Sequence, residues 1–184
     1  LVLLAIVAIV AVLAPRTADR ADACAFDPRR PHAFEADQLR GAYRLAYDAV
    51  STNALFPTDP FFSLPPIERG LRNSRIDGPP FIPSTLLKAI AWVESDMTMA
   101  QRSVPFNSIG EGLVSFDGGH GLMQVTTGMT VPLGANGQPS DRQALIATHY
   151  AYNVARGAQI LAEKWNSAPD QRPIVGTDTN SDPA

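Results

Sequence analysis

Apolar residues recur with helical spacing in three places along the chain. The clearest is Pro83–Met97, PSTLLKAIAWVESDM, where Leu86, Leu87, Ile90, Ala91, Val93 and Met97 gather on one side. Pro83 stands just before the predicted start, and Ser84 is suited to the N-cap. A second stripe, Val154, Ala158, Leu161, Ala162 and Trp165, runs through Thr148–Trp165, with Thr148 as the expected cap. Gly157 in that helix permits another element to approach closely. A third stretch, Ala36–Val50, brings Leu39, Tyr43, Leu45 and Ala46 near one face. Residues 25–35 read as linker. Pro57–Pro83 carries seven prolines and breaks any long regular element, so this middle is expected to wrap or tether the domain.

The first fourteen residues, LVLLAIVAIVAVLA, contain no polar group. As a helix they would span about 21 Å, short of the ~30 Å hydrocarbon core of a bilayer. That length suits the apolar region of a signal peptide, or part of a membrane anchor, and Arg16, Asp19, Arg20 and Asp22 follow at once. Ala21-Asp22-Ala23 has the form of a cleavage site, with Cys24, the only cysteine, directly behind it. The expectation is therefore an exported chain: residues 1–24 as signal or anchor, 25–82 as linker and accessory region, 83–166 as the main domain, 167–184 as a polar tail.

A hydrophobic content of 45% supports a packed core, and 18% charged residues is too few for a disordered chain. The net charge of −3, without a run of lysines or arginines, argues against nucleic acid as a partner. His32, His120 and His149 show no metal-ligand spacing, and neither a P-loop nor a dinucleotide fingerprint is present, so no metal and no cofactor are expected. Ser115 does not sit in a G-x-S-x-G elbow.

Two positions carry candidate chemistry. Glu94 lies seven residues after Leu87 and four after Ile90, on or beside the apolar face. A carboxylate buried there is costly unless paired or protonated, and burial is how a general acid is prepared for neutral pH. A solvated glutamate at a helix end is the plain alternative. Trp92 nearby would serve as core, as a wall, or as a sugar platform. The second position is Gly118–Val125, GGHGLMQV. It suits either a tight turn into a buried element or a loop lying against a ligand that Gln124 binds.

Taken together, Glu94-Ser95, the run Ser115-Phe116-Asp117-Gly118-Gly119-His120-Gly121-Leu122-Met123-Gln124, and Asn153-Val154 with Gly157 resemble the soluble lytic transglycosylase domain of the lysozyme-like superfamily, related to goose-type lysozyme. That family shows a Glu-Ser pair closing a helix, then Ser-x-x-Gly-Ala-x-Gly-Leu-Met-Gln, then Asn-Ile-x-x-Gly. Here Gly119 replaces alanine and Val154 replaces isoleucine. The resemblance covers Pro83 to Asn166.

The resemblance implies a mainly α, lysozyme-like domain that binds peptidoglycan glycan strands. It implies Glu94 as the single catalytic acid–base, and Ser115, Met123, Gln124, Tyr152 and Asn153 as substrate-binding residues. His120 falls at a variable position of the pattern and is expected at the surface. The family's further helix, with an Ala-Tyr-Asn-x-Gly motif, has no counterpart after Asn166, so the domain reads as incomplete on that side. The implied reaction cleaves the β-1,4 bond between N-acetylmuramic acid and N-acetylglucosamine and leaves a 1,6-anhydro end. Ordinary glycosidases use two carboxylates, and Asp96, Glu111 and Asp117 are the nearby acids that would support hydrolysis instead. A glycan-binding module without turnover is the rival from another class.

Overall fold

In the computed structural model, which describes residues 27–36, 40–70 and 75–172, the elements run β1 (His32–Glu35), α1 (Gly41–Ser51), β2 (Glu68–Arg69), β3 (Ile76–Asp77), α2 (Ser84–Ser95), β4 (Ser108–Glu111), α3 (Asp141–Thr148) and α4 (Tyr150–Ser167), closed by a short 3-10 turn at Pro169–Gln171. Among the described residues helix outweighs strand, as the sequence pattern predicts, and the strands form two small antiparallel pairs, β1–β4 and β2–β3. Leu1–Ala14, Cys24, Leu39 and residues 173–184 lie outside the described residues. Among the described residues no helix is long and apolar enough to cross a membrane.

The α4 stripe is buried as its spacing predicts, with Val154, Ala158 and Ala162 inaccessible to water and Leu161 and Trp165 half-buried. α4 contacts both α1 and α3. Helix α2 buries only Leu87, Ala91 and Ser95; Leu86 and Val93, expected inside, are exposed, Val93 by 82%. Each fully buried aliphatic side chain in this core contributes about 1.5–3 kcal/mol. α2 begins at Ser84 itself, one residue earlier than a Ser84 cap implies, with Pro83 at the N-cap and no side-chain cap bond. In α1, Tyr43, Ala46, Tyr47 and Val50 face inward, while Leu45 points to water.

Thr148 does not cap the last helix. It ends α3, its hydroxyl donating back to Ala144 O, and His149 caps α4 by accepting from Ala151 N at 3.2 Å. Helix α3 starts on a capping box, Ser140-Asp141-Arg142-Gln143: Ser140 Oγ accepts from Gln143 N, and Gln143 Oε1 accepts from Ser140 N at 2.9 Å.

From Asp27 on, the expected linker at residues 25–35 is instead part of the domain. β1 pairs with β4 in the register His32↔Glu111 and Phe34↔Ile109, which turns Ala33 and Glu35 into the core and Phe34 to the outside. The described parts of the middle segment pack against the core, burying Phe62, Leu64 and Ile82. One hydrophobic core runs from Ala33 to Ala162, so residue 82 is not a boundary between packing units.

Candidate active site

The site begins where α2 stops. Asp96 turns left-handed (φ 56°) and returns its N–H to Ala91 O and Trp92 O, which ends the helix one residue past Glu94. Ser95, on the buried side of that last turn, places its hydroxyl 2.9 Å from Ala91 O and 2.8 Å from Leu122 O. The serine therefore couples the helix end to the glycine-rich segment, and leaves Glu94 on the outer side of the same turn.

Gly118–Val125 is a tight turn pinned from three sides. His120 and Val125 exchange backbone bonds at 3.1 Å in both directions, and Gly121 N donates to Leu113 O at 2.9 Å. Gly121 is left-handed (φ 65°), and a Cβ there would stand 2.6 Å from Met99 Sδ and 2.7 Å from Asn153 Nδ2. Only glycine meets both demands. From α4, the fully buried Asn153 accepts from Met123 N at 2.9 Å and donates to His120 O at 2.7 Å and Ile146 O at 3.0 Å. One turn further along α4, a Cβ on Gly157 would fall 2.5 Å from that of Met123, so the glycine lets the turn sit directly against the helix.

That packing delivers Met123 and Gln124 to a cleft of about 340 Å³ whose lining also includes Ile90, Glu94, Gly157 and Lys164. Gln124 holds a left-handed backbone (φ 44°) and donates Nε2 to Gly121 O at 2.7 Å, leaving its carbonyl oxygen free to accept. A second hollow of about 450 Å³, lined by Trp92, Asp96, Arg102 and Leu113, meets the first at Glu94. Glu94 thus stands on the rise between two depressions. Its side chain is exposed and not sunk in the apolar face, because the α2 stripe rotates Leu87 and Ala91 inward and carries position 94 outward. Another hollow, about 600 Å³ between Phe81, Leu86, Leu161 and Trp165, lies beyond Lys164 and contains none of the expected site residues.

Ser115 is not among the residues lining the cleft, but it lies beside Gln124 across Gly119. Its Oγ and Gln124 Oε1 both lie 2.7 Å from where a Cβ on Gly119 would be, so glycine at 119 leaves room for both side chains. The Ser115 hydroxyl donates to Asp117, and this bond holds the Asp117 carboxyl below the usual carboxylate range. Gly119 N donates to Ser115 Oγ at 2.9 Å.

Three sequence expectations are corrected here. Asn153 is a buried clamp on the Met123 turn and lines no cleft. Tyr152 does not reach the cleft either; it stacks on Phe56 at 4.7 Å and meets the edges of Phe62 and His149. His120 is not a surface residue: it is 1% exposed, with Nδ1 2.8 Å from Gly118 O, and burial holds its imidazole below the ordinary value. Of the other acids, Glu111 is on β4 with Arg30 at 4.0 Å, and only Asp96 shares a hollow with Glu94.

The pattern alone missed Glu35. Its buried carboxylate accepts from Tyr43 Oη, Met99 N and Ala100 N at 2.8–2.9 Å, and so fixes the segment that follows the helix end. A glutamate in a four-residue strand alternating with exposed positions was the one available signal. Among the described residues no His, Cys, Asp and Glu side chains cluster as a metal site. No protein-family profile, curated protein or solved structure matches this chain.

Proposed function

We propose that this chain carries a lysozyme-like domain that cleaves peptidoglycan as a lytic transglycosylase, with Glu94 as its single acid–base residue. The observation that carries the reading is the meeting of Glu94, Met123 and Gln124, distant in sequence, along one open cleft. Ser95 and Asn153, both matched to the family pattern, serve that meeting by tying the glycine-rich turn to α2 and α4.

In this reading a glycan strand lies across Glu94 with sugars on either side. Seating the strand takes the carboxyl out of water, the condition that favours its neutral, proton-donating form. Glu94 donates its proton to the glycosidic oxygen as the bond from C1 of N-acetylmuramic acid breaks, and the acetamido group beside C1 stabilises the cation. The carboxylate then takes the proton of the muramyl C6 hydroxyl as that oxygen bonds to C1. No second protein carboxylate is required. The chain acts outside the cytoplasmic membrane, delivered or held there by its apolar head.

Digestion of purified sacculi, followed by mass spectrometry, tests this directly. Anhydro-muropeptides are the expected product. Reducing ends would establish a lysozyme-type hydrolase, and intact sacculi with bound protein would establish a glycan-binding module.

A further inference from the structure

The two hollows that meet at Glu94 differ in chemistry. On the Gln124 side the polar groups are a neutral amide, two threonines and Lys164. On the other side stand Trp92, 58% exposed, and Arg102, whose side chain is 85% exposed. Arg102 touches Asp96 Oδ2 with one nitrogen at 3.7 Å, a long contact that orients the guanidinium and leaves most of its five donors open. Asp96, Thr98 and Arg102 also line a further hollow of about 360 Å³, in which Arg40 stands 5.5 Å over the Phe106 ring and donates Nε to Met97 O. Glu35 lines that hollow too, but its oxygens are engaged by Tyr43 Oη, Met99 N and Ala100 N. Glu94 is common to the first two hollows, and Asp96, Thr98 and Arg102 to the second and third. The three therefore succeed one another as a stepped trench from Gln124 past Glu94 to Arg102 and Arg40.

Resting on the glycan-cleaving reading, we infer that the Trp92–Arg102 arm of this trench receives the carboxylate-bearing part of the substrate, with Arg102 as its recognition residue. Trp92 offers a flat apolar face for a sugar ring. Arg102 offers the parallel N–H pair that a carboxylate fits, and no other cation lines the hollow next to Glu94 on this side. Peptidoglycan carries carboxylates on its peptide stems and, where a stem has been removed, on the lactyl ether of the muramyl ring.

The test is binding of the full chain carrying Glu94→Gln, with and without Arg102→Ala, to three preparations of one sacculus. These are intact sacculi, sacculi stripped of stems by an amidase, and sacculi whose carboxylates are capped as neutral amides. Arg102→Ala is expected to weaken binding roughly three- to tenfold on a charged preparation and to leave the capped one unchanged, with Arg102→Lys recovering part. In intact sacculi the lactyl groups are amide-linked, so a loss there assigns the stem carboxylates. A loss confined to stripped glycan assigns the lactyl group. Equal loss on capped and charged glycan, or loss on neither charged preparation, overturns the inference. Because binding is read without turnover, absence of anhydro ends from the unsubstituted protein refutes the function reading while this result stands by itself.

Discussion

Asn153 Oδ1 accepts the backbone N–H of Met123 at 2.9 Å, from a side chain with no exposure to water. The same amide donates to His120 O and Ile146 O, so one side chain satisfies three backbone groups of two different segments. Asn153→Ala removes a partner from all three; His120 O keeps its bond from Val125 N, so Met123 N and Ile146 O are the two left stranded. Each buried group left unpaired costs about 1–3 kcal/mol, so a total loss of roughly 2–5 kcal/mol is expected in denaturant unfolding. A loss under about 1 kcal/mol would show that the turn holds itself.

Gly157→Ala opposes two effects. Alanine in a helix gains up to about 1 kcal/mol over glycine. The new Cβ would lie 2.5 Å from Met123 Cβ and 2.6 Å from its Cγ, and Met123 is held by Asn153. Overpacking at about 1–3 kcal/mol outweighs the propensity gain, so thermal stability should fall. A rise in Tm would mean that Met123 moves freely.

Gln124→Ala removes one hydrogen bond, to Gly121 O, from a half-buried position. A stability cost of about 1 kcal/mol or less is expected, together with a marked loss of affinity for sacculi. A large fall in Tm with affinity intact would make Gln124 a structural residue only.

His120 titrates with a sign set by burial. Desolvation lowers its pKa from 6.5, with the bond to Gly118 O opposing in part. The unfolded chain therefore binds the proton at a higher pH than the folded one. The stability contribution is complete above about 6.5 and is lost as pH falls through the folded value. His149 is shifted in the same direction by burial. Calorimetry should show a lower Tm at about pH 5.5 than at about pH 7.5, and His120→Gln should shrink that difference. An unchanged pH slope in the variant would remove His120 from the account.

Glu94→Gln keeps size and removes the transferable proton. Turnover of sacculi should fall by about 10²–10⁴-fold. Stability should stay within about 0.5 kcal/mol, since the side chain is exposed and no burial penalty is relieved. Glu111→Gln and Asp117→Asn should cost far less activity. Full turnover in the Glu94 variant would end its assignment.

The sequence by itself determined the pieces. Periodicity located α2 and α4 because a 3.6-residue repeat of apolar side chains is a local property of the chain. Gly157 was legible as a place of close approach, whereas α3, with its capping box at Ser140–Gln143, was seen only in the structure. Tertiary structure decided what those pieces do. The rotation of α2 about its axis is fixed by what packs on Leu87 and Ala91, and that rotation put Glu94 in water instead of in the core. Whether Asn153 binds a ligand or clamps a turn depends on three carbonyl and N–H groups from other segments, two of them in the distant glycine-rich turn. Tyr152 went to Phe56 and Phe62 because the proline-rich middle supplied an aromatic surface that no periodicity announces. Glu35 became the anchor beyond Glu94 only once β1 found β4, a pairing across the chain that four residues of pattern do not specify.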